Sequence, residues 1–232
     1  MSSRTLTEER PWDGHRGTGL DEAEQARLNR TLAGDGQAAP AGLAAIWDDF
    51  IMHCPERGQR SGFRQALVIL MYFVGSPGFH LCLLHRLGAF CHRRGLALPA
   101  LAFEKFIYHW YHCIVPSSLR AGKGLWFPHP LSIVIADNVR LGDAVTIYQG
   151  VQLVNGGQRK SQVTIGDGTL LGADAMVLGR RVGPLSVVGA RAVVVRDLAA
   201  GHVAMGHPAT AEPASPLVLR DRIHVLHDRV VW

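Results

Sequence analysis

The chain has 232 residues and a formal net charge of +5; 47% of its residues are hydrophobic and 19% are charged. This balance is typical of a soluble globular protein with enough residues for one or two domains. A basic surface suits nucleic acid, an anionic membrane or a polyanionic cofactor. No Lys/Arg run or basic helix with interleaved aromatics is present, so nucleic acid is disfavoured and a phosphate-bearing small molecule is preferred.

The N-terminal 20 residues are polar and lack periodicity, which predicts a flexible tail and excludes a signal peptide. The uncharged run within 65–75 is too short to span a bilayer. The four cysteines match neither a CxxC pair nor a zinc pattern. We therefore expect reduced thiols and a cytoplasmic location.

A helical domain is predicted over residues 21–113. Its helices are expected at 21–32, 43–54, 63–74, 78–94 and 99–113. Ser76 and Pro77 form an N-cap and first-turn signal for the fourth helix. The last helix is rich in aromatic residues, namely Phe103, Phe106, Tyr108, Trp110 and Tyr111. Such density favours core packing, with an interface or a lipid-linked acceptor as the alternative.

Residues 133–206 carry apolar residues at a spacing of six. One series is Ile133, Val139, Val145 and Val151, and a second is Ile135, Leu141, Ile147 and Leu153. After an insertion at 154–162 the spacing resumes at Ile165, Leu171 and Val177, and after one dropped residue at Val182, Val188 and Val194. This period fits neither a helix nor a hairpin sheet, but it fits a solenoid of short strands that stack aliphatic residues inward.

Glycine follows the apolar residue in several repeats, as in Leu141-Gly142, Ile165-Gly166 and Val182-Gly183. At such turns glycine provides either a positive φ or room for close backbone approach. A sandwich of ordinary short strands is the competing interpretation. It is disfavoured because ten or more positions keep the register.

The segments GKGLWFPHPLSIVIADNVRLGDAVTIYQGVQL (122–153), IGDGTLLGADAMVLG (165–179), VGARAVVVRDL (188–198) and AMGHPA (204–209) resemble the hexapeptide-repeat acyltransferases, as does SPGFHLCLLHRLG (76–88). The resemblance is closest to the serine acetyltransferases and their sugar and polysaccharide O-acetyltransferase relatives. It implies a mainly β fold, a left-handed parallel β-helix at 114–209, preceded by the α-helical domain. Residues 210–232 are left as a C-terminal tail that could cap the open end.

The resemblance implies that His129, in FPHP, is the catalytic base at a boundary between subunits of a homotrimer. Three features depart from the serine acetyltransferases. Pro128 replaces an Asp that orients the histidine, Gln162 stands nearest to a second histidine, and IVPSS (114–118) lacks an acid. These departures favour another hydroxyl acceptor over serine. We expect Asp137, a backbone carbonyl or the adjoining subunit to hold the imidazole.

Acetyl-CoA is the acyl donor that the resemblance implies. The expected cofactor-binding residues are Gly156, Gly157, Gly172, Ala173, Ala175 and Arg196. Expected substrate-binding residues are Asp137, Gln149 and Gln162. No metal is expected, because the coils hold no histidine between His129 and His202 whereas a zinc site of this repeat needs three.

The sequence therefore predicts an acetyl-CoA-dependent O-acetyltransferase acting on a sugar, a polysaccharide precursor or another small hydroxyl compound. Serine O-acetyltransferase is the alternative enzyme, and a non-catalytic hexapeptide scaffold is the alternative of another class. A homotrimer, or a dimer of trimers through the helical domain, is the expected assembly. A peripheral membrane contact stays open.

Overall fold

The computed structural model describes residues 22–33, 41–54, 63–155 and 162–228. The helices that come first are α1 (Glu22–Ala33), α2 (Ala45–His53), α3 (Phe63–Gly75), α4 (Pro77–Arg93) and α5 (Ala97–Tyr111). Their ends lie within two residues of the predicted ones. Ser76 caps α4 as expected, because its hydroxyl accepts a hydrogen bond of 3.4 Å from the Phe79 amide.

Short strands then wind into coils. They are β1 (Arg120–Ala121), β2 (Val134–Ile135), β3 (Val139–Leu141), β4 (Thr146–Ile147), β5 (Gln152–Val154), β6 (Val163–Ile165), β7 (Leu170–Leu171), β8 (Met176–Leu178), β9 (Arg181–Val182), β10 (Val187–Val188), β11 (Val193–Val194), β12 (His202–Gly206) and β13 (Ala209–Pro213). Three sheets result, in the orders β1-β3-β6-β9, β13-β12-β10-β7-β4 and β11-β8-β5-β2. All neighbours pair in parallel except β12 with β13. The predicted parallel β-helix behind a helical region is confirmed.

The repeating aliphatic residues fill the interior of this three-sided prism. In one column Leu141 pairs with Ala121 below and with Ile165 above, and Ile165 pairs with Val182. Each of these side chains is at most 2% exposed. Both predicted series are buried in the same way. Each series therefore contributes one inward residue to each face of the prism.

The glycines after the apolar residues serve close approach and not positive φ. A Cβ at Gly166 would lie 2.7 Å from the Pro184 Cα, and one at Gly183 would lie 2.7 Å from the Ala200 Cα. The left-handed positions come later in the turn, where Ala144, Asp174, Leu185 and Arg191 have φ between 53° and 59°. Close stacking of successive coils, and not the turn itself, therefore requires these glycines.

The C-terminal segment begins on the last coil and then runs beside the prism. Helix α6 (Pro216–His227) packs along one corner, where Leu219 lies against Gly201 and Leu226 against Gly168. It also contacts α1, through an ion pair of 2.9 Å between Arg220 and Glu24. The antiparallel strand β13 pairs with the free edge of β12 and ends that sheet. The expectation that 210–232 caps the open end stays a prediction.

The aromatic residues of α5 are mostly outside the core of the chain, contrary to the preferred prediction. The exposed fraction is 47% for Phe106, 53% for Tyr108 and 68% for Trp110. Helix α5 packs on α4 through a narrow face that includes the buried Ala100 and Ile107. The apolar surface of α5 thus greatly exceeds what α4 covers. Within the described residues, no helix combines the length and the apolar content that crossing a membrane requires.

Candidate active site

His129 lies on the first coil of the prism, at a corner where this coil is longer than the next one. The first coil comprises residues 114–133 and the second comprises 134–151, because Ile114 pairs with Val134 and Val134 pairs with Gln152. The two additional residues fall between Trp126, which pairs with Thr146, and Val134. The extra length pushes the chain out of the coil there, and His129 is exposed.

The imidazole of His129 is flanked by two prolines, which fix their own φ angles and donate no backbone hydrogen bond. Its ring centroid lies 6.2 Å from that of Tyr148, with an angle of 56° between the planes. Among the described residues, no hydrogen bond to the ring is present. The main chain is held by hydrogen bonds instead. The His129 carbonyl accepts from the Leu131 amide at 2.9 Å, and the Leu131 carbonyl accepts from the Gly150 amide.

A buried polar cluster from α2 and α4 binds the first coil just before His129. The Asp49 carboxylate pairs with the Arg86 guanidinium at 2.8 and 3.1 Å, and neither side chain is more than 2% exposed. Arg86 also donates to the carbonyls of Ala121 (2.9 Å) and Gly122, and Asp49 accepts from the Leu125 amide at 2.9 Å. Burial raises the pKa of Asp49, and Arg86 opposes that effect.

His53 extends this cluster to the residue two before His129. Its Nδ1 lies 2.7 Å from the Asp49 carbonyl oxygen, and its Nε2 lies 3.3 Å from the Phe127 amide nitrogen. Burial, above all, lowers the pKa of His53 to about 4. Sequence analysis missed the whole cluster. The available signal was a pair of adjacent acids and a single arginine within apolar helical segments, IWDDFIMH and LCLLHRLG.

The corner of His129 also carries some of the expected binding residues. Gln149 follows Tyr148, and its Oε1 is buried with no hydrogen-bond partner in the described part of the chain. One coil further on, Ala173 is half-buried and its carbonyl accepts from the Arg191 amide. Gly172 is buried, and a Cβ there would lie 2.7 Å from the Ala190 amide nitrogen. Ala175 belongs to the core, with both backbone groups bonded, so it has no free group for a cofactor.

The other expected residues lie at a different corner of the same prism. Asp137 lies between β2 and β3, Gln162 precedes β6, and Arg196 follows β11; all three side chains are exposed. Gly156 and Gly157 lie outside the described residues. A cavity of about 250 Å³ at this corner is lined by Asp137 together with Lys105, Tyr108 and Ile114. One chain therefore does not bring these residues to His129.

The remaining titratable groups give little support to another site. His85 is buried with both ring nitrogens unbonded among the described residues, and burial lowers its pKa to about 3. Burial also raises the pKa of the Cys113 thiol, which disfavours a reactive thiolate. Within the ranges described, no group of three potential ligands could hold a metal ion.

Comparison with known proteins gives consistent relatives, although no family model matches the chain. A serine acetyltransferase of Helicobacter pylori is 35% identical over 145 residues, which is 61% of this chain and 82% of the relative. One of Mycobacterium tuberculosis is 35% identical over 135 residues, 57% of this chain and 59% of the relative.

Solved structures agree on the fold. The Neisseria gonorrhoeae serine acetyltransferase has a TM-score of 0.65 at 23% identity, covering 74% of this chain and 66% of that one. The soybean serine acetyltransferase apoenzyme has a TM-score of 0.62 at 27% identity, covering 73% and 68%. The identity and the extent of the match to the Helicobacter protein, with which these folds agree, show that the chain is an acyltransferase and belongs to the serine acetyltransferase family within the hexapeptide-repeat superfamily.

Proposed function

We propose that this protein transfers the acetyl group of acetyl-CoA to the hydroxyl of L-serine or of a closely similar small molecule, with His129 as the general base. The observation that carries the proposal is the position of His129. Its imidazole is exposed at the corner where the first coil is longer than the second. The relatives of the chain are named serine acetyltransferases. Those names support serine ahead of the saccharide acceptor that the sequence favoured.

The chemistry requires one proton acceptor near neutrality, a role suited to imidazole. His129 takes the proton of the acceptor hydroxyl as the oxygen attacks the thioester carbonyl. When the tetrahedral intermediate collapses, the carbon–sulfur bond breaks and the same proton passes to the departing thiolate. The products are the acetyl ester and the free thiol, so no further reactant is needed.

Residues of two corners are expected to serve one site in a homotrimer. His129 and Gln149 are at one corner, whereas Asp137, Gln162 and Arg196 are at another. A neighbouring protomer would bring the second set to the first. Ala173 and the narrow coil spacing at Gly172 would line the path of the pantetheine arm, and Arg196 would face the phosphates of acetyl-CoA. The exposed apolar side chains beside the cavity at Asp137, such as Ile114 and Tyr108, support a covered surface there.

One observation favours an acceptor other than serine. Pro128 offers no side chain to orient the imidazole, and Gln162 is neutral and exposed, so two elements that the resembling enzymes use for serine recognition or for orienting the base are absent or altered. The second candidate is therefore O-acetylation of another small hydroxyl compound by the same mechanism. The two candidates differ only in the acceptor and are separated by one assay.

The test measures thiol release from acetyl-CoA with L-serine and with a panel of amino alcohols and sugars. His129→Ala should lower kcat by about 10²- to 10⁴-fold. His92→Ala, at an exposed histidine of α4, serves as the matched control and should leave kcat unchanged. Faster turnover of a sugar than of serine would replace the acceptor. Unchanged turnover in His129→Ala would show that another group is the base, whereas no turnover with any acceptor together with no binding of coenzyme A would favour a scaffold.

A further inference from the structure

The first coil has a free edge that the helices complete. In a parallel sheet, alternate residues direct their backbone groups to opposite neighbours. Trp126 pairs with the second coil, as its amide donates to Val145 and its carbonyl accepts from Ile147. Leu125 and Phe127, on either side of it, direct their amides the other way, where the described part of the chain forms no coil. Side chains of α2 occupy that position instead.

The contact at Phe127 fixes one tautomer of His53. The Asp49 carbonyl can only accept, so Nδ1 carries the proton, and the Phe127 amide can only donate, so Nε2 presents its lone pair. The ring is buried, with 6% of its residue surface exposed. The low pKa keeps the ring neutral at physiological pH. The titratable group that acts on the ring from α4 is His80, which also lowers the pKa of His53.

Close packing holds the same peptide from α4. A Cβ at Gly78 would overlap the carbonyl oxygen of Phe127 and would lie 2.7 Å from Nε2 of His53. Phe127 itself is fully buried. The amide of Phe127 is therefore bonded to His53, its carbonyl lies against the first turn of α4, and its ring is in the core.

The position of the Phe127 peptide affects that of His129 because only Pro128 lies between them. Pro128 has a fixed φ, and Pro130 restricts the backbone of the residue before it, which is His129, so few free torsions separate the Phe127 peptide from the imidazole. Among the described residues, no side chain orients the imidazole through a hydrogen bond, which leaves the main chain to set its direction. A displacement of about 1 Å at a catalytic group can cost about 10²-fold in rate.

We infer that His53 is a positioning residue for His129: its Nε2 holds the Phe127 amide, while the Asp49–Arg86 pair fixes the preceding segment of the first coil. This inference rests on the proposed function, because it assigns His53 an effect on catalysis through His129. It adds that the helices are part of the catalytic apparatus and do more than cover the end of the prism.

Three replacements of His53 separate the hydrogen bond from simple packing. Gln can place an amide oxygen where Nε2 lies and so can still accept from Phe127, whereas Asn is polar but too short, and Leu fills space without an acceptor. His80→Leu is the matched control. His80 is on α4 and bonds the Phe73 carbonyl at 2.8 Å, away from the coil. Each variant is assayed for kcat and for the KM of acetyl-CoA, well below its melting temperature.

We expect His53→Leu and His53→Asn to lower kcat by about 10- to 100-fold with the KM of acetyl-CoA changed less than about threefold. His53→Gln should remain within about threefold of the natural protein, and His80→Leu should match it. Equal losses in the Gln and Asn variants, or no loss in either, would overturn the inference. If the Leu variant does not fold, the Gln and Asn pair still decides the question.

A second readout does not depend on catalysis. Amide hydrogen exchange, followed by mass spectrometry, should rise in peptides covering residues 125–131 of His53→Asn and stay unchanged in His53→Gln. Unchanged exchange in His53→Asn would refute positioning even if the rate falls. Full activity of His129→Ala, together with increased exchange in His53→Asn, would instead show that the proposed base is wrong while the contact is real.

Discussion

Replacing Arg86 by methionine removes the cation of the buried pair while keeping most of the side-chain volume. The guanidinium is 2% exposed and donates to both oxygens of Asp49 and to the carbonyls of Ala121 and Gly122. Asp49 is 0% exposed in the natural protein, and after the replacement it would keep the Leu125 amide as a donor. A buried carboxylate is thereby left without its counter-charge.

Breaking a buried ion pair on one side costs about 3–5 kcal/mol. This is a large part of the roughly 5–15 kcal/mol that stabilises a typical protein. We therefore expect Arg86→Met to lower the free energy of unfolding by about 3–5 kcal/mol at neutral pH. Arg93→Met, at an exposed arginine of the same helix, should change it by less than about 0.5 kcal/mol.

The loss in Arg86→Met should depend on pH in a defined direction. Burial raises the pKa of Asp49 and Arg86 lowers it, so removing Arg86 leaves the folded-state pKa further above the unfolded one. The folded variant then binds a proton more readily than the unfolded chain. The stability that Arg86→Met loses relative to the natural protein must therefore shrink as pH falls from neutral towards the unfolded pKa of about 3.9.

Urea unfolding monitored by circular dichroism, at fixed protein concentration and at two pH values, measures these differences. Asp49→Asn/Arg86→Met removes both charges, while the Asn oxygen can still accept from Leu125. The double variant should be more stable at neutral pH than Arg86→Met alone. A loss below about 1 kcal/mol in Arg86→Met, or a double variant as unstable as the two single losses added together, would refute the reasoning.

Gly183→Ala should destabilise the chain by about 1–3 kcal/mol, because the methyl would overlap the next coil, whereas Gly42→Ala, with nothing within 4 Å, should be neutral in the same urea titration. His85→Leu should flatten the fall in stability between about pH 6.5 and pH 3, since a folded-state pKa of about 3 makes the natural protein lose stability as pH drops through that range; an unchanged slope would contradict this. Trp110 is 68% exposed, so Trp110→Ser should change the stability of the monomer by under about 0.5 kcal/mol. Ile107 is 1% exposed, so Ile107→Ala should lower it by about 2–5 kcal/mol. Similar losses of the two variants in thermal unfolding would show that Trp110 is a core residue.

The repeat could be predicted from the sequence because its spacing maps directly onto the coils. Each inward position is set by local strand geometry, so Leu141 and Val188 needed no knowledge of distant residues. The start of α4 followed likewise from Ser76 and Pro77. The exposure of Trp110 could not be predicted, because α5 is apolar on several faces and only the packing of α4 decides which face is buried.

The polar cluster was beyond sequence analysis for a different reason. Asp49 and Arg86 are 37 residues apart, and their pairing depends on two helices crossing the first coil. The greater length of the first coil at His129 could not be predicted either. The spacing of six becomes regular only after that corner, so the sequence offers no earlier repeat with which the length of residues 127–133 could be compared.

The placement of His129 on the terminal coil has a thermal consequence. In a stacked solenoid each coil is stabilised by its two neighbours, and an end coil has one. Fraying therefore starts at the ends, and here it would start at the coil that bears the imidazole unless α2 and α4 stay docked. If His129 is the base, as proposed, we expect the temperature at which activity is lost to be set by the attachment of these two helices and not by the melting of the prism.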